Sequence, residues 1–387
     1  MPKAVRVLFV TPRFSDGGGE RIWLNLLQNL DRSRFKPSLA FFEHIQSHFL
    51  GEIPGDVPVH DLAKRRRFVL DWLRISIGLA KVIRRESPDV VVSLLHTWGI
   101  VLHLARVISR RRFAIVINEH IHVSGSLRSL REKKPLASLP SRWVHRYCYR
   151  HADLIIPVAH DVARDLASNY GAKPDRIRVI YNGIDLDGIR RMASETVDHP
   201  WFDGGPPASP PIIIGIGRLS DQKGFAFLIR AFRDLVRRRP AKLVIIGEGD
   251  KRQDLEALIR SLGLDRDVAL LGRQANPYKY LARSSVFVLS SVGEALPTVL
   301  LEAMALGVPI VSTRCPCGPE ELLENGKYGV LVPVADETAL ADGILKVLEG
   351  SALRRGFAET GRARAETFRL RPMVEAYEQC IEALACP

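Results

Sequence analysis

The sequence predicts an α/β protein built from two doubly wound parallel sheets. Three observations lead there. Strand-like and helix-like segments alternate along both halves of the chain. A stretch at 198–211, DHPWFDGGPPASPP, carries five prolines and two glycines and interrupts that alternation. The length of 387 residues suits two cores better than one. The expected domains are 1–197 and 212–368, joined by a linker at 198–211, with a terminal helix over 369–387 that packs back on the first domain.

The first half opens on a buried-type strand, VRVLFV, then a glycine-rich turn at Gly17, Gly18 and Gly19. A helix is expected from near Glu20, with Ile22, Leu26, Leu27 and Leu30 on its apolar face. Further strands are expected at 37–43, 89–95, 113–119, 153–159 and 176–182. The second half restarts with strands at 212–219, 242–249, 268–272, 285–291, 308–313 and 329–333, each trailed by a helix candidate, and closes on an amphipathic helix over 372–384. Two consecutive α/β halves place a cleft between two sheets, and open α/β sheets take ligands at the carboxyl ends of their strands.

Composition narrows the class. The 46% hydrophobic and 26% charged residues are those of an ordinary globular protein. Five scattered cysteines, with Cys315 and Cys317 the only close pair, lack redox or zinc spacing and suggest reduced thiols in a cytoplasmic protein. No signal peptide is expected at the start, and the apolar stretch at 90–108 is broken by His96, Thr97, Gly99, His103 and Arg106, so a strand followed by a helix is expected rather than a membrane span. Of the net charge of +13, residues 1–187 hold +12. That one-sided excess suggests an anionic partner, either nucleic acid or acidic lipid, with a solvated basic surface as the alternative. Aromatics at 7% do not interleave with the basic runs, which argues against nucleic acid.

Arg218 and Lys223 lie five apart in GRLSDQKG, after a strand, and suit a diphosphate: guanidinium binds it bidentately and ammonium adds a point charge. Two solvated loop cations are the alternative. In EALPTVLLEAMALG, Glu294 lies in the turn after a strand and Glu302 about two helical turns on. Pro297 suits the helix's first turn, whose free N–H groups form an anion site. Glu302 is flanked by Leu300, Leu301, Ala303 and Met304, so it reads either as a surface residue or as a partly buried carboxylate with a partner.

These segments, with GPEELL and YGVLVP downstream and GGGER, NEH (118–120), VAHDVARDL and RIRVIYNGID upstream, resemble the retaining family-four glycosyltransferases of the GT-B fold, in order and over nearly the whole chain. The resemblance implies two Rossmann-like domains facing a central cleft. It implies that Glu294 contacts donor-sugar hydroxyls, that Glu302 holds the ribose, and that Arg218 and Lys223 stabilise the leaving diphosphate. Gly18 and Gly19 would let the backbone approach the donor phosphates and the acceptor, and His120 would project toward the donor sugar, with Glu119 beside it open to a structural role. Ala295, Leu296, Pro297 and Thr298 would line the sugar and phosphate site. Without the family motif, His96, His122 and His160 compete with His120.

No metal and no cofactor beyond the nucleotide sugar are expected; there is no Asp-X-Asp motif, and cations plus a helix N-terminus can hold the departing phosphates. No carboxylate nucleophile stands out, and the resemblance implies front-face attack with the departing phosphate helping to deprotonate the acceptor. The family often shows a Glu-Gly-Phe-Gly pattern where this chain has Glu-Ala-Leu-Pro-Thr. With CPCGPEEL, that resembles the subgroup moving hexoses or N-acetylhexosamines from UDP donors in bacterial polysaccharide and lipid-linked glycan assembly; GDP donors stay open. The segment 64–85 joins basic runs to Phe68, Trp72, Leu73 and Ile75, and it reads either as an amphipathic helix on an acidic leaflet or as a helix packed on the sheet. A lipid-linked acceptor at the cytoplasmic face of a membrane is expected. A soluble UDP-sugar epimerase or sugar synthase is the alternative.

Overall fold

The structure, a computed structural model, describes residues 4–14, 17–43, 47–62, 71–94, 99–133, 135–202 and 210–385, with the backbone alone at 71, 129–133 and 135–140. The basic run 64–67, Phe68, His96 and most of the expected linker lie outside the described residues.

The chain divides into two compact units. The first comprises residues 1–183 and 370–387, the second 184–369. In the first, strands β1 (Val5–Arg13), β2 (Phe35–Glu43), β3 (Val59–Asp61), β4 (Val90–Ser93), β5 (Ala114–Glu119) and β6 (Leu154–Pro157) form one sheet in the order β3-β2-β1-β4-β5-β6. Its helices are α1 (Gly18–Asn29), α2 (Asp71–Glu86), α3 (Gly99–Ser109), α4 (Val123–Lys133), α5 (Pro135–His151) and α6 (His160–Tyr170). All ladders are parallel. Parallel strands are covered on both faces, which is why Val7–Val10 and Val90–Val92 read as unbroken apolar runs.

The second unit repeats the plan. Helix α7 (Leu186–Ala193) precedes β7 (Ile212–Ile216), α8 (Phe225–Val236), β8 (Lys242–Ile246), α9 (Arg252–Ser261), β9 (Val268–Leu270), α10 (Tyr278–Leu281), β10 (Val286–Leu289), α11 (Thr298–Leu306), β11 (Ile310–Thr313), α12 (Pro319–Leu322), β12 (Val330–Val332), α13 (Glu337–Glu349) and α14 (Ser351–Ala365). The strand order is β12-β11-β10-β7-β8-β9. Numbered from its own first strand, this is the same winding as in the first unit. In both sheets the winding reverses between the first and fourth strands, and open α/β sheets bind ligands outside that reversal.

Four differences from the sequence reading have local causes. Residues 176–182 do not form a strand. Ile177 makes one bridge to Ile155, and Ile180 N donates to Pro157 O at 3.2 Å, but Pro157 has no N–H to return and no ladder develops. Gly18 and Gly19 form the first turn of α1 instead of a loop before it. Pro297 caps α11 from outside its first turn. The contact boundary falls at 183/184, ahead of the proline-rich stretch: α7 buries Leu186, Ile189 and Ala193, and Asn276 Nδ2 and Arg283 Nη1 bond the carbonyls of Met192 and Ala193. The final helix, α15 (Leu370–Ala385), belongs to the first core through Met373, Val374, Tyr377 and Ile381.

Candidate active site

In the second unit, the loops after β7 and β10 leave adjacent strands at the reversal of the sheet. They are tied together. Val292 N donates to Gln222 O at 2.8 Å, Gln222 Nε2 to Gly293 O at 2.7 Å, and Ser290 Oγ to Lys223 O at 2.8 Å. Gly224 sits at φ +62, where a Cβ would lie 2.2 Å from Ser290 O, so only glycine allows this approach.

The stitching aims Lys223 at Glu294. Lys223 Nζ lies 2.6 Å from Glu294 Oε1, and Ser291 Oγ donates to the same oxygen at 2.5 Å. Thr313 Oγ1 in turn donates to Ser291 O. Oε2 of Glu294 has no hydrogen-bond partner among the described residues and can accept from a ligand hydroxyl. Arg218 is exposed and makes no ion pair among the described residues.

Ala295, Leu296 and Pro297 are buried and lead into α11, whose N-terminus has no side-chain cap, so its first N–H groups remain available to an anion. Thr298 and Glu302, four residues apart, share one half-buried face of α11. Gly318, at φ +74, brings the loop after β11 against Ala295, where a Cβ would lie 2.5 Å from Ala295 O. Burial pushes the Cys315 thiol up to about 12, so it is inert packing beside Glu294.

In the first unit, α1 starts beyond the carboxyl end of β1, and His120 follows the carboxyl end of β5. Gly19 lies against His120: a Cβ there would sit 3.7 Å from the imidazole Nδ1, an ordinary contact. His120 Nε2 is 2.7 Å from Asn118 Oδ1, which also accepts from Trp23 Nε1 at 3.0 Å. Burial pushes the His120 pKa down to about 4, so the ring is neutral near pH 7.

Glu119 is structural. It is buried, takes the Tyr149 hydroxyl on one oxygen and Ile121 N on the other, and burial pushes its pKa up to about 7. Of the competing histidines, His122 pairs with Asp165 at 3.5 Å and His160 stacks edge-on to Tyr181.

The structure thus groups Gly18, Gly19 and His120 at one sheet, and Arg218, Lys223, Glu294, Ala295 to Thr298 and Glu302 at the other. Sequence reasoning passed over Ser291, Gln222, Thr313, Asn118 and Trp23. The first three act through single hydrogen bonds to a loop and leave no pattern. Asn118 lies inside the NEH segment, where its residue type alone carries no signal of the bonds it makes.

Two family descriptions match the chain: Glycosyltransferase Family 4 over residues 16–187 and Glycosyl transferases group 1 over 202–364. A full-length relative is the N-acetylgalactosamine-N,N'-diacetylbacillosaminyl-diphospho-undecaprenol 4-alpha-N-acetylgalactosaminyltransferase of Campylobacter jejuni, 30% identical over 91% of this chain and 92% of that protein. The chain belongs to the family 4, group 1 glycosyltransferases. It is an enzyme of the hexosyltransferase class. Another similar protein is the lipopolysaccharide core biosynthesis glycosyltransferase LpsE of Rhizobium meliloti, 29% identical over 89% of this chain and 90% of that one. The transferase shares the GT-B fold with solved structures such as HepE of Anabaena in complex with UDP and glucose, at a TM-score of 0.81 and 22% identity, covering 99% of this chain and 100% of that one.

Proposed function

We propose that this glycosyltransferase moves a hexose or N-acetylhexosamine from a UDP-linked donor to a lipid-linked or surface-glycan acceptor, with retention of configuration and without a metal. The observation that carries the donor half is the Lys223–Glu294 pair, 2.6 Å apart, beside an exposed Arg218 and the uncapped start of α11. Lys223, Arg218 and the helix N–H groups offer positive charge where a nucleoside diphosphate departs. Glu294 Oε2 accepts from sugar hydroxyls and Glu302 from the ribose. The bond from sugar C1 to the β-phosphate oxygen breaks, the acceptor oxygen bonds C1 on the same face, and its proton passes to the departing phosphate.

Glu294 already holds Lys223 and Ser291 on Oε1, an arrangement for orienting a substrate rather than for attacking one. UDP is favoured because it is the nucleotide in the HepE complex, and a lipid-linked acceptor because the Campylobacter jejuni relative is named for one. The first unit takes the acceptor at the cytoplasmic face of an anionic membrane, in keeping with its basic excess.

The test is a thermal-shift screen against UDP, GDP and ADP with and without EDTA. UDP should raise Tm equally in both conditions, and the rise should vanish in Arg218→Ala and Glu302→Ala. A shift that EDTA abolishes overturns metal independence, and a shift with GDP alone overturns the donor.

A further inference from the structure

Asn118 sits at the centre of a hydrogen-bond chain whose polarity can be worked out from its two ends. Its Nδ2 donates to Ile156 O at 2.9 Å, which fixes the amide with the oxygen pointing the other way. Indole Nε1 can only donate, and Trp23 Nε1 donates to Asn118 Oδ1 at 3.0 Å. The second group at that oxygen, His120 Nε2 at 2.7 Å, must therefore carry its proton. A neutral imidazole protonated on Nε2 keeps a lone pair on Nδ1. That nitrogen lies toward Gly19 and has no hydrogen-bond partner among the described residues.

Trp23 and Asn118 are 0% and 1% exposed, so water does not compete for the chain of bonds. We infer that Trp23 and Asn118 are positioning residues that lock His120 as the Nε2–H tautomer and so present Nδ1 as an acceptor for a ligand hydroxyl. The inference rests on the reading that His120 meets the substrates. A lone pair takes an O–H and repels a phosphate oxygen, so this position selects for the sugar or acceptor hydroxyl. The phosphates are left to the cations of the second unit. Of the titratable groups on the surrounding elements, Glu20 of α1 lies over Gly17, Glu119 of β5 binds Tyr149 and Ile121, and His122 pairs with Asp165, while Tyr377 of α15 brings its phenol to Asn118 itself, where burial raises its pKa far above neutrality and keeps it uncharged.

The test has two arms on the full chain. In the first, histidine is labelled with nitrogen-15, and the His120 signals are assigned by their loss in His120→Gln. They should show a pyridine-type Nδ1 and a pyrrole-type Nε2 at neutral pH, and Asn118→Ala, which removes the acceptor, should move both toward the average of the two tautomers. This arm does not depend on activity. It reads the lock whether or not the donor assignment holds. In the second arm, Asn118→Asp keeps an oxygen at the same place but adds a charge that stabilises imidazolium. Its kcat should drop about tenfold near pH 6 and recover toward pH 8, with an unchanged KM for the donor. A merely structural loss would be the same at every pH. An Nδ1-protonated ring in the unsubstituted protein overturns the lock. A locked ring with a pH-independent loss in Asn118→Asp overturns the role at the ligand, while nucleotide binding in the thermal-shift screen remains a separate result.

Discussion

Lys223 and Glu294 depend on each other before any substrate arrives. The side chains are 20% and 9% exposed, and among the described residues the carboxylate is held by the Lys223 charge and a Ser291 hydrogen bond alone. Removing one member of a largely buried pair leaves the other uncompensated, at a cost of about 3 kcal/mol, less here because water reaches Lys223. Lys223→Met should therefore lose about 2 kcal/mol in urea unfolding, and adding Glu294→Gln should recover much of it. Additive losses would show that the pair is not coupled. Glu119 makes a second prediction. Its folded pKa of about 7 lies above its ordinary value near 4.5, so the folded state holds the proton longer than the unfolded chain. Its contribution is full below pH 4.5 and is lost as pH rises to about 7. His120, depressed to about 4, has the opposite slope: its contribution is full above its ordinary value of 6.5 and is lost as pH falls toward 4. Only a difference measurement separates them. Glu119→Gln should gain stability relative to the unsubstituted protein across pH 4.5 to 7, and a difference that stays flat with pH would refute the raised pKa.

Elements with strong periodicity were legible in the sequence, and elements decided by partners were not. All six strands of the second unit lie within their expected segments, because buried parallel strands such as Lys242–Ile246 are marked by unbroken apolar runs, here Leu243–Ile246 ending at Gly247. Strand β3, Val59–Asp61, has three residues and a polar pattern, and it exists because Leu39 and Phe41 offer it an edge. Segment 176–182 reads as a strand and fails for want of a donor at Pro157. The site divides the same way. Glu294, Lys223 and the α11 start were visible as motifs, whereas the bonds of Ser291 to Glu294 and of Trp23 to Asn118 join residues whose types carry no signal of their own. Helix α15 shows what long-range packing adds. It is the last element of the chain, yet it completes the first core: Val374 and Tyr377 are 0% and 1% exposed, and Glu378 accepts from Asp31 N at 2.9 Å and from Arg34. Ending the chain after Arg369 should expose that core, so that calorimetry loses the transition of the first unit and keeps that of the second. Two intact transitions would mean that α15 is dispensable.

Across the molecule, charge and exposed apolar side chains concentrate in the same unit. Helices α2, α3 and α5 carry Trp72, Leu73, Ile77, Val107, Trp143 and Tyr147 on their exposed sides, with Val107 74% and Trp143 77% exposed. Helix α3 packs against both others, and its His103 meets Tyr147 edge-on at 5.3 Å, so the three helices are neighbours. Arg74, Lys81 and Arg84 flank them on α2, Arg110, Arg111 and Arg112 at the end of α3, and Arg142, Arg146 and Arg150 at helical spacing on α5. The described side chains of these three helices include no exposed carboxylate. Exposed apolar groups among so many cations fit an anionic lipid surface, with about 1 kcal/mol from each basic residue near the headgroups and more from each aromatic that enters them. No helix among the described residues is long and apolar enough to cross a membrane, so attachment would be from one side. The protein should pellet with phosphatidylglycerol-containing vesicles at low salt, pellet weakly with phosphatidylcholine alone, and be released by high salt. Trp143→Ser with Val107→Ser should weaken pelleting while Tm and nucleotide binding hold, because neither side chain is part of a core. Unchanged pelleting in that double variant would take the surface off these helices, and equal pelleting with neutral vesicles would remove the charge from the argument.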